Sequence, residues 1–168
     1  DLAIIGGGPG GYVAAIRASQ LKLKVVVIEK EKLGGVCLNW GCIPTKALLK
    51  NAEILHAIQN ASTYGINIDS YKVDWKKVIK RSRDVSNQLN KGIHYLFKKN
   101  GIKHINGKGT LLDNNTIQII SSNEKISIKA NNIIISTGSR AKSFPGLKYN
   151  GINIISYREA MVLSKRPD

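Results

Sequence analysis

A glycine-rich turn near the start of the chain limits the available folds more than any other feature. It follows an apolar run at 2–5, precedes a predicted helix at 12–20, and reads Gly6-Gly7-Gly8-Pro9-Gly10-Gly11. A second apolar run, 25–28, comes next and ends at Glu29. This order of strand, glycine turn, helix, strand and acid is typical of the Rossmann arrangement, which binds a dinucleotide where the first strand meets its helix.

Each residue type in this motif has a physical role. Gly6 makes the tight turn, Gly8 lets the backbone touch a pyrophosphate, and Gly11 lets the helix pack closely on the strand. The helix N-terminus favours the phosphate charge, and Glu29 is predicted to accept hydrogen bonds from ribose hydroxyls. A glycine turn alone often serves only chain reversal. The flanking strands and the acid therefore carry the prediction of dinucleotide binding.

The only two cysteines of the chain, Cys37 and Cys42, are five positions apart. In a regular helix their Cα atoms would be roughly 8 to 9 Å apart, beyond the ~7 Å that a disulfide tolerates. Either the segment is not a regular helix or the cysteines never bond. Asn39, Gly41 and Pro44 favour the first alternative, because Asn and Gly permit positive-φ backbone and Pro suits a first helical turn.

The two thiols are interpreted as a redox pair beside a helix N-terminus. A helix is predicted from Pro44 to about Ala61, and the positive potential at its start favours a thiolate at Cys42. Lys46 lies one helical turn further on the same face, where its ammonium can add to that effect. With no His or further Cys nearby, the pair makes a poor metal site, and no metal is predicted.

The rest of the chain predicts an α/β domain of three layers, with a parallel sheet core and an antiparallel hairpin insert. A long helix is expected from the N-cap Asp74 to Asn100, with small residues in its apolar stripe approaching the sheet and Arg83 among the charges facing solvent. Residues 103–109 return to the sheet, 110–130 form hairpins with turns at 113–115 and 122–124, and 131–136 make another buried strand.

Composition argues against several classes of function. The net charge is +15, but lysines are spread along the chain without a dense basic run, zinc-finger spacing or an aromatic RNA-binding signature, so no nucleic-acid role is predicted. No apolar run reaches the ~18 residues of a membrane span, and no signal peptide is visible. A reducing compartment is expected, in which two cysteines favour catalysis over a structural disulfide. The first residue adjoins a strand, so we expect that the start is cropped.

Three segments resemble one enzyme family, the flavoenzymes that couple a nicotinamide to a dithiol through FAD. They are residues 8–18, the cysteine segment 34–49, and Thr137-Gly138-Ser139 after the apolar run 133–135. Within this family, the pyridine nucleotide-disulfide oxidoreductases, the chain is most similar to the dihydrolipoamide dehydrogenase branch. The similarity spans 1–168, interpreted as the FAD-binding domain of a protein whose NAD-binding and dimerisation domains lie outside this chain.

The resemblance implies roles for individual residues. Cys37 corresponds to the thiol that exchanges with substrate, and Cys42 to the thiol beside the flavin. Lys46 corresponds to a flavin contact and Gly109 to a backbone contact with adenine. The cofactor-binding residues that we predict are Gly6, Gly8, Pro9, Gly10, Gly11, Glu29, Lys30, Gly35, Lys46, Gly109, Thr137, Gly138 and Ser139.

The implied reaction is oxidation of protein-bound dihydrolipoamide, with electrons passing through the cysteine pair and FAD to NAD+. The implied partners are the lipoyl domains of 2-oxo acid dehydrogenase or glycine cleavage complexes, and the full-length form is expected to be a homodimer. The expected location is the bacterial cytoplasm, the mitochondrial matrix or a plastid. None of His56, His94 and His104 is expected to be catalytic, because the family's His-Glu couple comes from another domain, and the fragment alone is expected to be inactive.

Two alternatives remain open on the sequence. One is another disulfide reductase of the same family, acting on glutathione or a metal ion such as mercury. The other is a non-catalytic FAD-binding or interaction module whose cysteines stay reduced.

Overall fold

The computed structural model describes residues 1–122 and 124–167 and contains two sheets. The first is a parallel sheet of four strands in the order β3-β2-β1-β7, and the second is an antiparallel sheet in the order β4-β5-β6. Along the chain the elements are β1 Leu2–Ile5, α1 Pro9–Gln20, β2 Val25–Glu29, α2 Gly35–Trp40, α3 Cys42–Gln59, a 3₁₀ turn Ala61–Tyr64, α4 Trp75–Lys99, β3 Lys103–Asn106, β4 Lys108–Leu111, β5 Thr116–Ile120, β6 Lys125–Lys129, β7 Asn132–Ile135 and α5 Tyr157–Ala160.

The parallel sheet is the middle of three layers. Side chains of a strand alternate between its two faces, and the two core clusters divide β1 in this way. Leu2 and Ile4 pack with helix residues such as Phe97, whereas Ala3 and Ile5 pack with Ile117 and Ile119 of the antiparallel sheet and others. The predicted three-layer α/β architecture with an antiparallel insert is confirmed.

The glycine turn holds β1 and α1 at very short separation. Gly6 has φ +106°, a conformation that side-chain-bearing residues rarely adopt. A Cβ added at Gly11 would lie 1.8 Å from the carbonyl oxygen of Gly6. Glycine at these two positions is therefore required by the backbone itself, whatever binds in front of the turn.

The cysteine segment is two helices with a corner between them. Cys37 lies in α2, the corner falls at Gly41 with φ −138° and ψ −113°, and Cys42 is the first residue of α3. The segment is thus not one regular helix, as the residue types suggested. The corner does not use the positive-φ backbone that Asn and Gly permit, because the positive-φ residues of the described chain include neither Asn39 nor Gly41.

Asn39 acts through its side chain instead. Its buried amide donates hydrogen bonds of 2.9 Å to the carbonyls of Leu33 and Gly35, which ties α2 to the loop before it. Pro44 does lie in the first turn of α3, although the helix begins two residues earlier than expected, at Cys42, and ends at Gln59.

The long helix α4 begins and ends as predicted, with Asp74 accepting a hydrogen bond from the N–H of Lys77. Its C-terminal half joins the sheet core through Ile93 and Phe97. The remainder packs mainly against α3 and α2. The solvent-facing position predicted for Arg83 is wrong, because its Nη1 donates a 2.7 Å hydrogen bond to the carbonyl of Asn39.

Two predictions for the strands need correction. Residues 103–109 do not all return to the parallel sheet, since β3 ends at Asn106 and Lys108 starts the antiparallel sheet. The strand predicted at 131–136 is not buried, because β7 is an edge strand that pairs only with β1 among the described strands, and Ile135 is 61% exposed. The hairpin turns are as expected at 113–115, whereas Asn123 of the 122–124 turn lies outside the described residues. No helix of the described chain is both long and apolar enough to cross a bilayer.

Candidate functional site

A cleft of about 560 Å³ lies at the carboxyl ends of β1, β2 and β7. Open α/β sheets bind ligands at this edge, and the volume falls within the ~300–1,000 Å³ typical of ligand sites. Its walls include ten of the predicted site residues, namely Gly8, Pro9, Gly10, Glu29, Lys30, Gly35, Cys37, Thr137, Gly138 and Ser139.

The floor of the cleft is the start of α1. No side chain of the described residues caps this helix, so backbone N–H groups of its first turn remain available to a ligand. A Cβ added at Gly8 would meet only the Gly35 Cα, at 3.7 Å, and one added at Gly10 only the Ser136 Cβ, at 3.7 Å. Backbone is thus exposed to the cleft at both glycines, as a bound pyrophosphate requires.

Charged side chains around the cleft favour an anion. The lining includes four cationic side chains, Lys30, Lys32, Arg140 and Arg158, against the two carboxylates Glu29 and Glu31. Together with the helix N-terminus, this excess of positive charge suits the diphosphate of a dinucleotide. These residues therefore fit FAD, with the glycine turn holding the phosphates.

Glu29 holds the turns on either side of it. Its Oε2 accepts a 2.7 Å hydrogen bond from the N–H of Gly7, and its Oε1 accepts a 2.8 Å hydrogen bond from the N–H of Glu31. Each carboxylate oxygen can accept a further hydrogen bond. Glu29 lines the cleft, so its predicted contact with ribose hydroxyls stays compatible with the structure.

The two cysteines meet across the corner at Gly41. Both are free thiols; Cys37 is partly buried and Cys42 is exposed. The Cys42 thiol and the Cys42 backbone N–H lie close enough to the Cys37 thiol to shift its pKa. The corner thus brings together two sulfur atoms that a continuous helix would separate.

Burial raises the pKa of the Cys37 thiol, and the hydrogen bond and charge of the Cys42 side chain raise it further. The Cys42 N–H and the Lys46 ammonium act in the opposite direction but do not outweigh these effects. The first amide of α3 and the charge of Lys46 therefore both act on Cys37, whereas the sequence associated them with Cys42. The raised pKa keeps the Cys37 thiol protonated, as is expected when both cysteines are reduced.

Five of the predicted site residues lie outside the lining of the cleft, among them Cys42 and Lys46. Gly6 and Gly11 are buried beneath it and shape the turn. Gly109 faces the sheet core, where an added Cβ would meet the Ile5 Cγ2 at 3.2 Å. Their contacts with a cofactor, and the assignment of Cys42 to the flavin side, stay predictions.

The sequence analysis missed several residues of the cleft wall. Ser136 donates a hydrogen bond from Oγ to the carbonyl of Gly6, at 3.1 Å, and so ties β7 to the glycine turn. Trp40, Glu31, Arg140 and Arg158 also line the cleft. Ser136 directly precedes the predicted Thr137, a signal that was available. The other four come together only through the fold.

Other candidate sites carry less chemistry. A larger groove of about 800 Å³ between α3 and the start of α4 is lined mainly by apolar side chains and by none of the predicted site residues. The described residues contain no group of three or more His, Cys, Asp or Glu side chains that could hold a metal ion. His94 and His104 pack edge to face, 5.7 Å between ring centroids, outside the cleft lining.

Residues 1–167 match the family described as pyridine nucleotide-disulphide oxidoreductase. The chain belongs to this family. It is 47% identical over 163 residues to a dihydrolipoyl dehydrogenase of Zymomonas mobilis, covering 96% of this chain and 35% of that protein. It is 44% identical over 171 residues to a mitochondrial dihydrolipoyl dehydrogenase of Schizosaccharomyces pombe, covering 99% and 34%.

The family fold is also seen in a crystal structure of LpdA from Mycobacterium tuberculosis. It superposes on this chain with a TM-score of 0.89 at 22% identity, covering 98% of this chain and 37% of that one. This likeness shows the fold. The chain spans about a third of the length of the curated relatives it matches. Its membership of an oxidoreductase family is thus established, and the resemblance given by the three sequence segments is confirmed.

Proposed function

We propose that this chain is the FAD- and disulfide-bearing part of a dihydrolipoyl dehydrogenase. The observation that carries the proposal is the position of Cys37 in the wall of a cleft that the glycine turn and Thr137-Gly138-Ser139 also line. Dithiol chemistry and dinucleotide binding thus share one site. The relatives that are 40–47% identical and named dihydrolipoyl dehydrogenase support the choice within the family.

In this proposal the cysteines cycle between disulfide and dithiol. A substrate thiolate attacks Cys37, the S–S bond breaks, and Cys42 leaves as a thiolate; the second substrate thiol then displaces Cys37 and completes the substrate disulfide. FAD, when bound, would supply the two-electron acceptor for the dithiol, with NAD+ as the final acceptor. The first turn of α1 holds the diphosphate, Glu29 orients the ribose, and Gly41 keeps the sulfur atoms within reach of each other.

The remaining parts of the proposal concern the whole protein. NAD+ is the acceptor, and lipoyl domains of 2-oxo acid dehydrogenase or glycine cleavage complexes supply the dithiol. A homodimer is proposed for the full-length form. The Zymomonas mobilis relative is bacterial and the Schizosaccharomyces pombe relative is named mitochondrial, which supports the bacterial cytoplasm or the mitochondrial matrix as the location.

The test is the substrate preference of the purified full-length protein. Its flavin spectrum is recorded first, and reduction of NAD+ is then measured with dihydrolipoamide. Oxidation of NADH or NADPH is measured separately with glutathione disulfide and with mercuric ion. NAD+ reduction by dihydrolipoamide, lost in Cys37→Ser and Cys42→Ser but kept in the control Ser62→Ala, supports the proposal. Activity with glutathione or mercuric ion alone favours another reductase. A protein that is inactive with all three substrates and whose cysteines stay reduced favours the non-catalytic module, whether or not it carries flavin.

A further inference from the structure

One carboxylate outside the glycine turn ties together distant parts of the cleft wall. Glu31 follows β2 and accepts hydrogen bonds from two guanidinium groups, Arg140 on Oε1 and Arg158 on Oε2, the latter at 3.0 Å. Partial burial acts to raise the pKa of Glu31, but the hydrogen bonds and charges of the two arginines lower it. Glu31 is therefore ionised at neutral pH and bridges two segments that are 18 residues apart in sequence.

Both arginines belong to a longer stretch that we call the strap, residues 140–163. The strap leaves the parallel sheet after β7, lines the cleft through Arg140 and Arg158, and ends at the start of α4, where the Trp75 Nε1 donates a 2.8 Å hydrogen bond to the carbonyl of Leu163. Between its ends most side chains are exposed; Phe144 is 77% and Ile152 81% exposed. The attachments at its ends therefore hold much of the strap in place.

Arg158 provides a further attachment. It lies in α5, whose start is fixed by a capping box between Ser156 and Glu159. Its guanidinium lies 5.4 Å from the centroid of the Trp40 ring, the same ring that Arg83 contacts at 5.2 Å. Arg158 thus connects the Glu31 loop to the end of α2, the helix that carries Cys37.

The side chains that make these contacts form part of the cleft wall. Glu31, Arg140, Arg158 and Trp40 all belong to its lining. A dinucleotide in the cleft would be bordered on this side by Arg140, Arg158 and the Glu31 carboxylate that pairs with them. Removing the Glu31 carboxylate would break the ion pairs of Arg140 and Arg158 together, which leaves Arg158 with its contacts to the Trp40 and Tyr157 rings.

We propose that Glu31 is a retention residue, which holds Arg140 and Arg158 of the strap in the wall of the cleft and so slows escape of the bound flavin dinucleotide. This inference rests on the proposed FAD site. Glu31 is distinct in role from Glu29, which contacts the glycine turn directly. Glu31 acts through the two arginines and is a positioning residue.

The experiment measures flavin release from the full-length protein carrying FAD. The rise in flavin fluorescence after dilution is compared for wild type, Glu31→Gln and Glu53→Gln. The last is a matched control, because Glu53 forms an exposed 2.9 Å ion pair with Lys50 on α3 and lies outside the cleft lining. Exposed pairs contribute little individually, so losing two at once is expected to speed release by about threefold to tenfold.

Salt gives a second readout, because it screens exposed charge pairs. Added salt should speed release from every variant, because it also screens the cationic lining, but it should speed release from wild type and Glu53→Gln more than from Glu31→Gln and so narrow the difference between them. An Arg158→Gln change should have a smaller effect in the Glu31→Gln background than in wild type. Equal release rates of Glu31→Gln and wild type, or effects that simply add, would overturn the inference.

Proteolysis of the flavin-free protein tests the strap without the cofactor. Lys142 and Lys148 are exposed sites for trypsin on the strap, and Glu31→Gln should accelerate cleavage there but not on α4. Unchanged cleavage at Lys142 and Lys148 would contradict the role of Glu31 in holding the strap. A wild-type protein that holds no flavin would overturn the FAD site itself, whereas a flavin-bearing wild type with unchanged release in Glu31→Gln overturns the retention role alone.

Discussion

The backbone N–H of Gly34 donates a 2.7 Å hydrogen bond to the carbonyl of Gly7, which joins the two glycine turns of the chain. A Cβ added at Gly35 would approach the Gly8 Cα at 2.7 Å, and Gly34 and Gly35 have φ +90° and +58°. The loop that begins the cysteine segment is thus set directly against the nucleotide turn. This contact brings Cys37 to the cleft.

Gly8→Val should abolish flavin binding while leaving the fold intact. The Gly8 backbone is extended, with φ −75° and ψ −174°, and the space beside it is open, so the fold tolerates a side chain there. The branched group would occupy the position needed by the pyrophosphate. We expect purified Gly8→Val protein to be colourless, with thermal unfolding close to that of flavin-free wild type. Stoichiometric yellow flavin in this variant would contradict the assigned role of the turn.

Gly11→Ala should destabilise the protein, whereas Gly92→Ala should not. The new methyl group at Gly11 would lie 1.8 Å from the Gly6 carbonyl, so helix and strand must separate. Overpacking of this kind costs about 1–3 kcal/mol or more. Gly92 lies inside α4 with nothing within 4 Å of an added Cβ, and Ala is favoured there by about 1 kcal/mol. Urea unfolding of the full-length variants gives both values, and equal stabilities would contradict the close approach.

The cysteines should form a reversible disulfide with distinguishable sulfur atoms. Mass spectrometry of the oxidised full-length protein after alkylation should show Cys37 joined to Cys42 and unlabelled. If Cys42 is the thiol beside the flavin, Cys37→Ser should show a long-wavelength absorbance that fades as the remaining thiol is protonated, and Cys42→Ser should show none. The opposite pattern would invert the roles, an outcome that the position of Cys37 in the cleft wall makes worth testing.

His104 should make the fold less stable in acid. Burial lowers its pKa below the ordinary 6.5, the charge of His94 lowers it further, and Glu29 acts weakly in the opposite direction. Between the lowered pKa of the folded state and about 6.5, His104 therefore binds more protons in the unfolded chain than in the folded one. The free energy of unfolding keeps its full value above pH 6.5 and falls as the pH decreases through that window. His104→Phe should flatten this dependence.

The matched control for that variant is His56→Gln, because His56 is exposed near the end of α3. The free energy of unfolding of the His56→Gln variant should keep the wild-type dependence on pH. If His104→Phe retains the same acid sensitivity as His56→Gln, His104 is not its source.

Local sequence predicted the glycine turn and its flanking elements well. An added Cβ at Gly11 would meet the Gly6 carbonyl within one β–turn–α unit, whereas one at Gly6 would lie 2.2 Å from the carbonyl oxygen of Ser136, a contact that only the fold creates. The order of strand, glycine turn, helix, strand and acid was enough to identify both glycines. The N-cap of α4 at Asp74 was equally predictable, because a cap depends on neighbouring residues. Even so, Asn39 was assigned to backbone conformation, whereas its amide side chain makes the contacts that hold α2.

The sequence by itself therefore determined the local features of the site: the glycine turn, the two thiols five positions apart and the break in the helix between them. Tertiary structure decided how these local features are arranged in space. It set the Cys42 N–H and the Lys46 ammonium where both lower the pKa of Cys37. It also left β7 at the edge of the parallel sheet and turned Arg83 towards Asn39 and Trp40. Most importantly, it brought Arg140 and Arg158 to Glu31 across more than a hundred residues. Pairings over such distances follow from how the layers pack, and no local pattern encodes them.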